Sequence, residues 1–421
     1  MALSKKPTTG MKDILPQEMR IRDYVISVIQ DTYAQFGFTH IETPCVENIN
    51  NLNCKAGGEN EKLIFKIMKR GEKLNINEAK EENDLTDSGL RYDLTVPLVR
   101  FYSNNQASLP APFKALQIGP VWRADRPQRG RYRQFYQCDI DILGEQSNLA
   151  EIELITATTT TLGKLGFKNF EIRINERRIL KAMAAYAGFA EDSFDEVFII
   201  LDKMDKIGME GVREELVKAG HTEESADKYL ALFTGLNEHE NDGLEYIAGE
   251  LGEYLDSDIK DNLSEIITAV EATKAAEFKT VFDPTLVRGM SYYTGTIFEI
   301  AIPEFGGSCG GGGRYDKMVG QFTGQDTPAC GFSIGFERIV LLLLENGFEI
   351  PGDNKKIAFL IEKGIDSKRL SEIMIEAANL RKEGYQVLVS RMNKNKKFQR
   401  TSLEEQGYTE FKDFYREALK N

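Results

Sequence analysis

Three arginines stand far apart in the chain, each introduced by a strand or turn: Arg123 in "GPVWRADRP", Arg288 in "VRGMSYYTG" and Arg338 in "GFERIVLLL". Guanidinium forks match phosphate oxygens in pairs, so arginines placed off polar helix faces point to anion contacts. For any one of them the plainer alternative is a surface ion pair. Carboxylates supply the complementary half. Asp93 lies in "LRYDLT", and Asp141 shares "FYQCDIDIL" with Gln137; the three could hold an ammonium group and a polar side chain. Cations for a polyphosphate beside acceptors for an amine describe a site that activates an amino acid. The glycine run 310–313, in "FGGSCGGGGRYD", is expected to be a loop that turns tightly or lets backbone approach a ligand. It is neither a Walker loop nor a dinucleotide fingerprint.

One stretch concentrates cation and aromatic surface. "RPQRGRYRQFYQ" (126–137) holds four arginines, two tyrosines and a phenylalanine, in a chain whose formal charge is -13. An acidic protein is a poor nonspecific coat for nucleic acid, because such binding runs on phosphate neutralisation, but a local basic site is compatible with it. At 421 residues, with 41% hydrophobic and 28% charged residues, the chain is expected to fold into two or three domains. No apolar run approaches the roughly twenty residues of a membrane span. The start, "MALSKKPTTGMKDILP", lacks the apolar block of a secretory signal, which suggests the cytoplasm. Five scattered cysteines and three histidines give no zinc spacing, so no metal held by protein ligands alone is expected. No Ser–His–Asp or Cys–His signature is evident.

The elements that must position these residues follow from periodicity. Apolar residues at Ile21, Val25, Val28, Ile29 and Phe36 form a helical stripe closed by Gly37. "FTHIETP" reads as a β-rich strand ending at Pro44, and 70–89 as an exposed acidic loop. From Leu90, "LRYDLTVPLVRFY" has strand-and-loop character. In "FYQCDIDIL", alternation puts Tyr136, Cys138 and Ile140 on one face, and Gln137, Asp139 and Asp141 on the other. A polar face on a central strand is costly unless it lines a site. "NLAEIELITATTTTLGKLGF" is expected to be a helix ending at Gly166, "NFEIRIN" a strand, and 177 to about 279 mostly helical. "ACGFSIGFERIVLLLLENG" reads as strand, turn and helix, and the residues after "EIPGDNKK" as a separate β-α-β unit.

These strings resemble class II aminoacyl-tRNA synthetases, and specifically the histidyl-tRNA synthetase family. "THIETP", with Pro44, is similar to motif one, "GPVWRADRPQRGRYRQFYQCDIDILG" to motif two and "GFSIGFERIVLL" to motif three; "VRGMSYYTGTIFE" and "GGGGRYD" look like the histidine motifs. The resemblance implies an α+β fold with a class II synthetase-type antiparallel sheet flanked by helices. Its parts would be a catalytic core in two pieces (1–178 and 280–346), an inserted helical module (179–279) and a shortened anticodon-binding-like α/β domain (355–421). The implied reaction joins histidine to ATP as histidyl-adenylate, with Mg²⁺, and then to the 3′ end of histidine tRNA, in a cytoplasmic homodimer.

By the same resemblance Arg123 would contact the α-phosphate, Phe135 would stack on adenine and Arg338 would hold the γ-phosphate end, with Asp125, Arg131 and Tyr132 also at ATP. Arg288 would stabilise charge on the α-phosphate and lie near histidine. Asp93 and Gln137 would bind the α-amino group, with Thr95 close by. Asp141 and Tyr293 would read the imidazole, with Tyr292 nearby, while Gly310, Gly311 and Tyr315 would belong to the loop shaping the pocket. Arg126 and Gln128 would meet the tRNA acceptor end. Two positions depart from the family pattern: Ser291 stands where aspartate is usual and Asp125 where glutamate is commoner. The closing strands of the last domain are not evident, which puts anticodon reading in doubt. Two alternatives stand beside the ligase: a histidine-binding regulatory paralogue of ATP phosphoribosyltransferase, and an enzyme that passes histidyl-adenylate to another acceptor.

Overall fold

The computed structural model describes residues 3–53, 60–239, 242–287, 292–352 and 355–416. The described strands are β1 (Thr39–His40), β2 (Val46–Asn48), β3 (Lys66–Met68), β4 (Thr86–Leu90), β5 (Phe113–Trp122), β6 (Gln134–Leu143) and β7 (Phe170–Glu176). They continue with β8 (Phe278–Phe282), β9 (Thr296–Ile302), β10 (Gly307–Arg314), β11 (Ala329–Ile334), β12 (Lys356–Ile361), β13 (Gln386–Arg391) and β14 (Glu410–Phe414). Two compact units divide the chain: Ile26–Leu342 with the stretch up to Lys12, and Asp13–Val25 with the chain from Leu343 onward.

The first unit is built on an eight-stranded sheet in the order β1-β5-β6-β11-β10-β9-β7-β8. Its six middle strands run antiparallel, and only β1 and β8 join their neighbours in parallel. The architecture is α+β. Helix Leu149–Lys164 buries Ala150, Leu154, Ile155 and Thr158 against the sheet, and the backbone turns back at Gly166, whose φ of 88° suits glycine. Among the described residues six α-helices lie within 177–272, where Phe189 meets His221 and Tyr229 edge-on. The second unit carries a parallel sheet in the order β13-β12-β14. Strand β12 is buried along its whole length, as a central parallel strand covered on both faces must be.

Five expectations are corrected. The stretch after Leu90 is not extended: Thr95–Asn105 is a helix. Asp93 accepts a hydrogen bond from the Val96 amide at 3.0 Å, and Pro97 sits in the first turn, where no partner for its missing N–H is needed. The acidic stretch 70–89 is only partly a loop, since β4 is the middle strand of a small sheet ordered β2-β4-β3. "FTHIETP" yields a strand of just two exposed residues, Thr39 and His40, at the edge of the large sheet. The glycine run is not a loop but most of β10. In the second unit, helix Lys396–Glu404 is followed by β14, a third strand where no closing strand was evident.

Candidate functional site

Strands β6, β10 and β11 form the floor of a cavity of about 430 Å³ in the first unit. The alternation of β6 sends Gln137, Asp139 and Asp141 toward that cavity. Cys138, Ile140 and Ile142, from the opposite set, are buried in the core.

The cationic side is set by stacking. Arg123 follows β5; its Nε donates to the Tyr92 carbonyl at 3.1 Å, and its guanidinium lies 4.4 Å from the Tyr92 ring centre and 5.1 Å from that of Phe135. Arg338, in the first turn of helix Phe336–Glu345, donates through Nη1 to the Ser308 carbonyl and lies 5.2 Å from the Phe305 ring centre. Both guanidiniums are thus aimed before any ligand arrives. The adjoining Glu337, largely buried, accepts from the Tyr136 amide at 3.0 Å and ties that helix to β6.

The anionic side is buried. Asp93, Asp139 and Asp141 are each at most 4% exposed. The Tyr315 hydroxyl donates to Asp141 Oδ1 at 2.6 Å. Burial, reinforced by that carboxylate, pushes the Tyr315 phenol well above its ordinary range, so it remains a donor. The Gln137 amide nitrogen faces Asp139 and Ser333, while its Oε1 is buried without a hydrogen-bond partner among the described residues. Three buried carboxylates lining one cavity suit a cationic group.

The glycines of β10 are explained by their neighbours. A Cβ on Gly310 would lie 2.7 Å from the Ser333 carbonyl and 2.8 Å from Ile300 Cδ1; one on Gly313 would lie 2.6 Å from the Thr296 carbonyl. On Gly312 it would run into the Gly331 carbonyl and the Phe298 ring. The strand can pass between β9 and β11 because it carries no side chains there, and its backbone then lines the cavity.

Most candidate residues converge on this cavity. Its walls include Asp93, Thr95, Arg123, Asp125, Arg131, Tyr132, Phe135, Gln137, Asp141, Tyr292, Tyr293, Gly310, Gly311, Tyr315 and Arg338. Arg126 and Gln128 are exposed and do not line it. Gln128 pairs with Arg131 across a tight turn whose Gly130 has φ of 67°. Arg288 and Ser291 lie outside the described residues. Sequence reasoning left out Tyr92, Glu337 and Ser333, and placed Asp139 on the polar face without giving it a role. Glu337 adjoins an arginine already singled out, which was the available signal; Tyr92 and Ser333 carried none. Among the described residues no group of His, Cys, Asp and Glu is placed to hold a metal ion, and no helix is long and apolar enough to cross a membrane.

Residues 10–339 match a family model described as histidyl-tRNA synthetase. A histidine–tRNA ligase of Leifsonia xyli is 49% identical over 354 residues, covering 82% of this chain and 81% of its own. One of Christiangramia forsetii is 39% identical over 376 residues, covering 85% and 82%. Among solved structures, histidyl-tRNA synthetase from Nostoc sp. PCC 7120 superposes with a TM-score of 0.77 at 26% identity, over 96% of this chain and 90% of its own. A Bacillus halodurans structure titled as an ATP phosphoribosyltransferase regulatory subunit/histidyl-tRNA synthetase reaches 0.78 at 19% identity, over 99% of this chain and 100% of its own, a likeness of fold alone.

Proposed function

This chain belongs to the histidyl-tRNA synthetase family, and from that premise we propose that it activates histidine with ATP and transfers it to histidine tRNA. The observation that carries the reading is one cavity holding aimed arginines at one side and buried carboxylates at the other. In the first step a histidine carboxylate oxygen attacks the α-phosphorus of ATP, and pyrophosphate leaves. In the second a hydroxyl of the terminal ribose of tRNA attacks the histidyl carbonyl, and AMP leaves. Neither step needs an enzyme nucleophile; positioning and charge stabilisation carry both.

We assign Arg123 to the α-phosphate, Phe135 to the adenine face and Arg338 to the γ-phosphate end, with Asp125, Arg131 and Tyr132 around the nucleotide. Asp93, Thr95 and Gln137 would receive the α-ammonium. Asp141 and Tyr293, with Tyr292 and the Tyr315 hydroxyl behind them, would read the imidazole. Arg288 keeps the role the family likeness gives it, at the charge developing on the α-phosphate. Mg²⁺ enters as the counter-ion of ATP, held by the triphosphate. Arg126 and Gln128, exposed on their turn, suit the acceptor end of tRNA. We take 179–279 as the inserted helical module and 355–421 as the shortened anticodon-binding-like α/β domain, with 1–178 and 280–346 as the catalytic core. We propose that this work is done in the cytoplasm.

The test is direct. The protein is expected to exchange pyrophosphate into ATP only when histidine is present, and to charge histidine tRNA. Histidine binding without exchange would sink the reading in favour of a regulatory sensor, and exchange without charging would point to a different acceptor. We also propose a homodimer, because the exposed edge strand β1 leaves its backbone groups available for pairing. Gel filtration should then report about twice the 47.5 kDa of one chain, and elution at a single chain's mass would rule it out.

A further inference from the structure

The hairpin that joins β9 to β10 turns at 303–306, and its tip carries Phe305. Two backbone bonds close the turn: the Phe305 amide donates to the Ile302 carbonyl and the Gly306 amide to the Pro303 carbonyl, both at 3.1 Å. The ring is half-buried, and two distant segments supply its neighbours. The Arg338 guanidinium lies 5.2 Å from its centre and that of Arg129 lies 5.3 Å away. Gly130 packs so closely that a Cβ there would stand 3.1 Å from Phe305 Cζ and 3.3 Å from Arg338 Cγ. The 128–131 turn, the hairpin tip and the first turn of helix Phe336–Glu345 thus meet at one phenyl ring. A guanidinium within about 6 Å of a ring centre is attracted to it, and the contact restricts a long, flexible side chain. The same hairpin holds Arg338 at a second point, since Nη1 donates to the Ser308 carbonyl. Arg338, Ser308 and Gly130 line the cavity, and Phe305 does not.

We propose that Phe305 is a positioning residue for the triphosphate end of ATP: pinned by Arg129 and Gly130 of the turn, its ring holds the Arg338 guanidinium at the cavity wall. The inference rests on the assignment of Arg338 to the γ-phosphate end. An arginine that samples many rotamers loses side-chain entropy when it meets a phosphate. A ring that has already ordered it lowers that loss at the moment of binding. Phe305 touches no phosphate itself; it acts only through Arg338.

The test compares ATP with AMP, which lacks the β- and γ-phosphates. Binding to the full-length protein is measured by calorimetry, and the KM for ATP by histidine-dependent pyrophosphate exchange. Phe305→Leu is expected to weaken ATP by about threefold to thirtyfold, the range of one cation–ring contact, with AMP staying within about twofold of the parent. In exchange, the loss should appear in the KM for ATP, with kcat changing far less. Phe305→Tyr keeps the ring and should recover most of the loss. Phe305→Met fills similar space without a ring and should not; it serves if Phe305→Leu does not fold. In an Arg338→Ala background, Phe305→Leu should add less than about twofold, because the two residues act through one contact. Equal weakening of ATP and AMP, full additivity with Arg338→Ala, or parental ATP affinity in Phe305→Leu would overturn the proposal while leaving Arg338 at the γ-phosphate. Parental ATP affinity in Arg338→Ala would overturn both.

Discussion

Alanine at position 123 is expected to lower histidine-dependent pyrophosphate exchange by about 10²- to 10³-fold, the usual loss when one preorganised charge-stabilising donor is removed. The argument rests on preparation. Arg123 is already stacked between the Tyr92 and Phe135 rings, and its Nε is anchored on the Tyr92 carbonyl, so little reorganisation is needed when charge develops. Lysine at the same position keeps the charge but loses the planar fork and the stacking, so Arg123→Lys should recover only part of the rate. The unfolding transition of both variants should stay close to that of the parent, because Arg123 is only half-buried at the cavity wall. Exchange within threefold of the parent in Arg123→Ala would remove the residue from the assigned chemistry.

The second large effect concerns stability. Arg314, at the end of β10, makes a two-pronged contact with Glu151, in the first turn of helix Leu149–Lys164: Nε to Oε1 at 2.7 Å and Nη2 to Oε2 at 2.6 Å. Glu151 is 1% exposed. The same guanidinium donates to the carbonyls of Glu145 and Ser147, at 3.2 and 2.9 Å, so it gathers the segment leading into the helix. Burial alone would favour the neutral form, but the Glu151 partner outweighs it and holds the arginine pKa above its ordinary value. Glu151→Ala removes the two-pronged partner and leaves Asp316, 3.4 Å from Nη1, to balance the largely buried cation through one longer contact; it should cost about 3 kcal/mol in urea unfolding. Replacing both partners with apolar residues of similar size should recover much of the loss, because a buried pair is worth little more than good packing. A shift below about 1 kcal/mol in the single variant would show that water or another acidic group takes over.

Periodicity and punctuation made several elements legible. The stripe of Ile21, Val25 and Ile29 is buried in helix Pro16–Gln35, and Gly37 takes the left-handed conformation that ends it. The alternation of 135–143 identified β6 and its polar face, because a strand has only two sides. The convergence on one cavity of residues from Asp93 to Arg338 was reached through the family likeness, as spacing alone does not say which strands become neighbours. Thr95–Asn105 was misread because Thr95, Val96 and Val99 favour strands, while the signal for a helix start was a side-chain cap from Asp93 and a proline in the first turn. The same limit hid Ser333 and Tyr92: a serine on β11 and a tyrosine beside Asp93 gain meaning only from what lies opposite them.

What the sequence determined by itself is therefore the inventory: the arginines, the carboxylates, the polar face of β6 and the helices with a clear stripe. These follow from local periods of 3.6 and 2 and from side-chain chemistry. Only the tertiary structure decided that the glycine run is a strand threaded between β9 and β11, that the Gln137 amide nitrogen faces Asp139 and Ser333, and that Arg314 and Glu151 pair side by side. Each of those depends on atoms far apart in the chain meeting within a few ångströms, and close approach is a property of the packed sheet rather than of any segment within it.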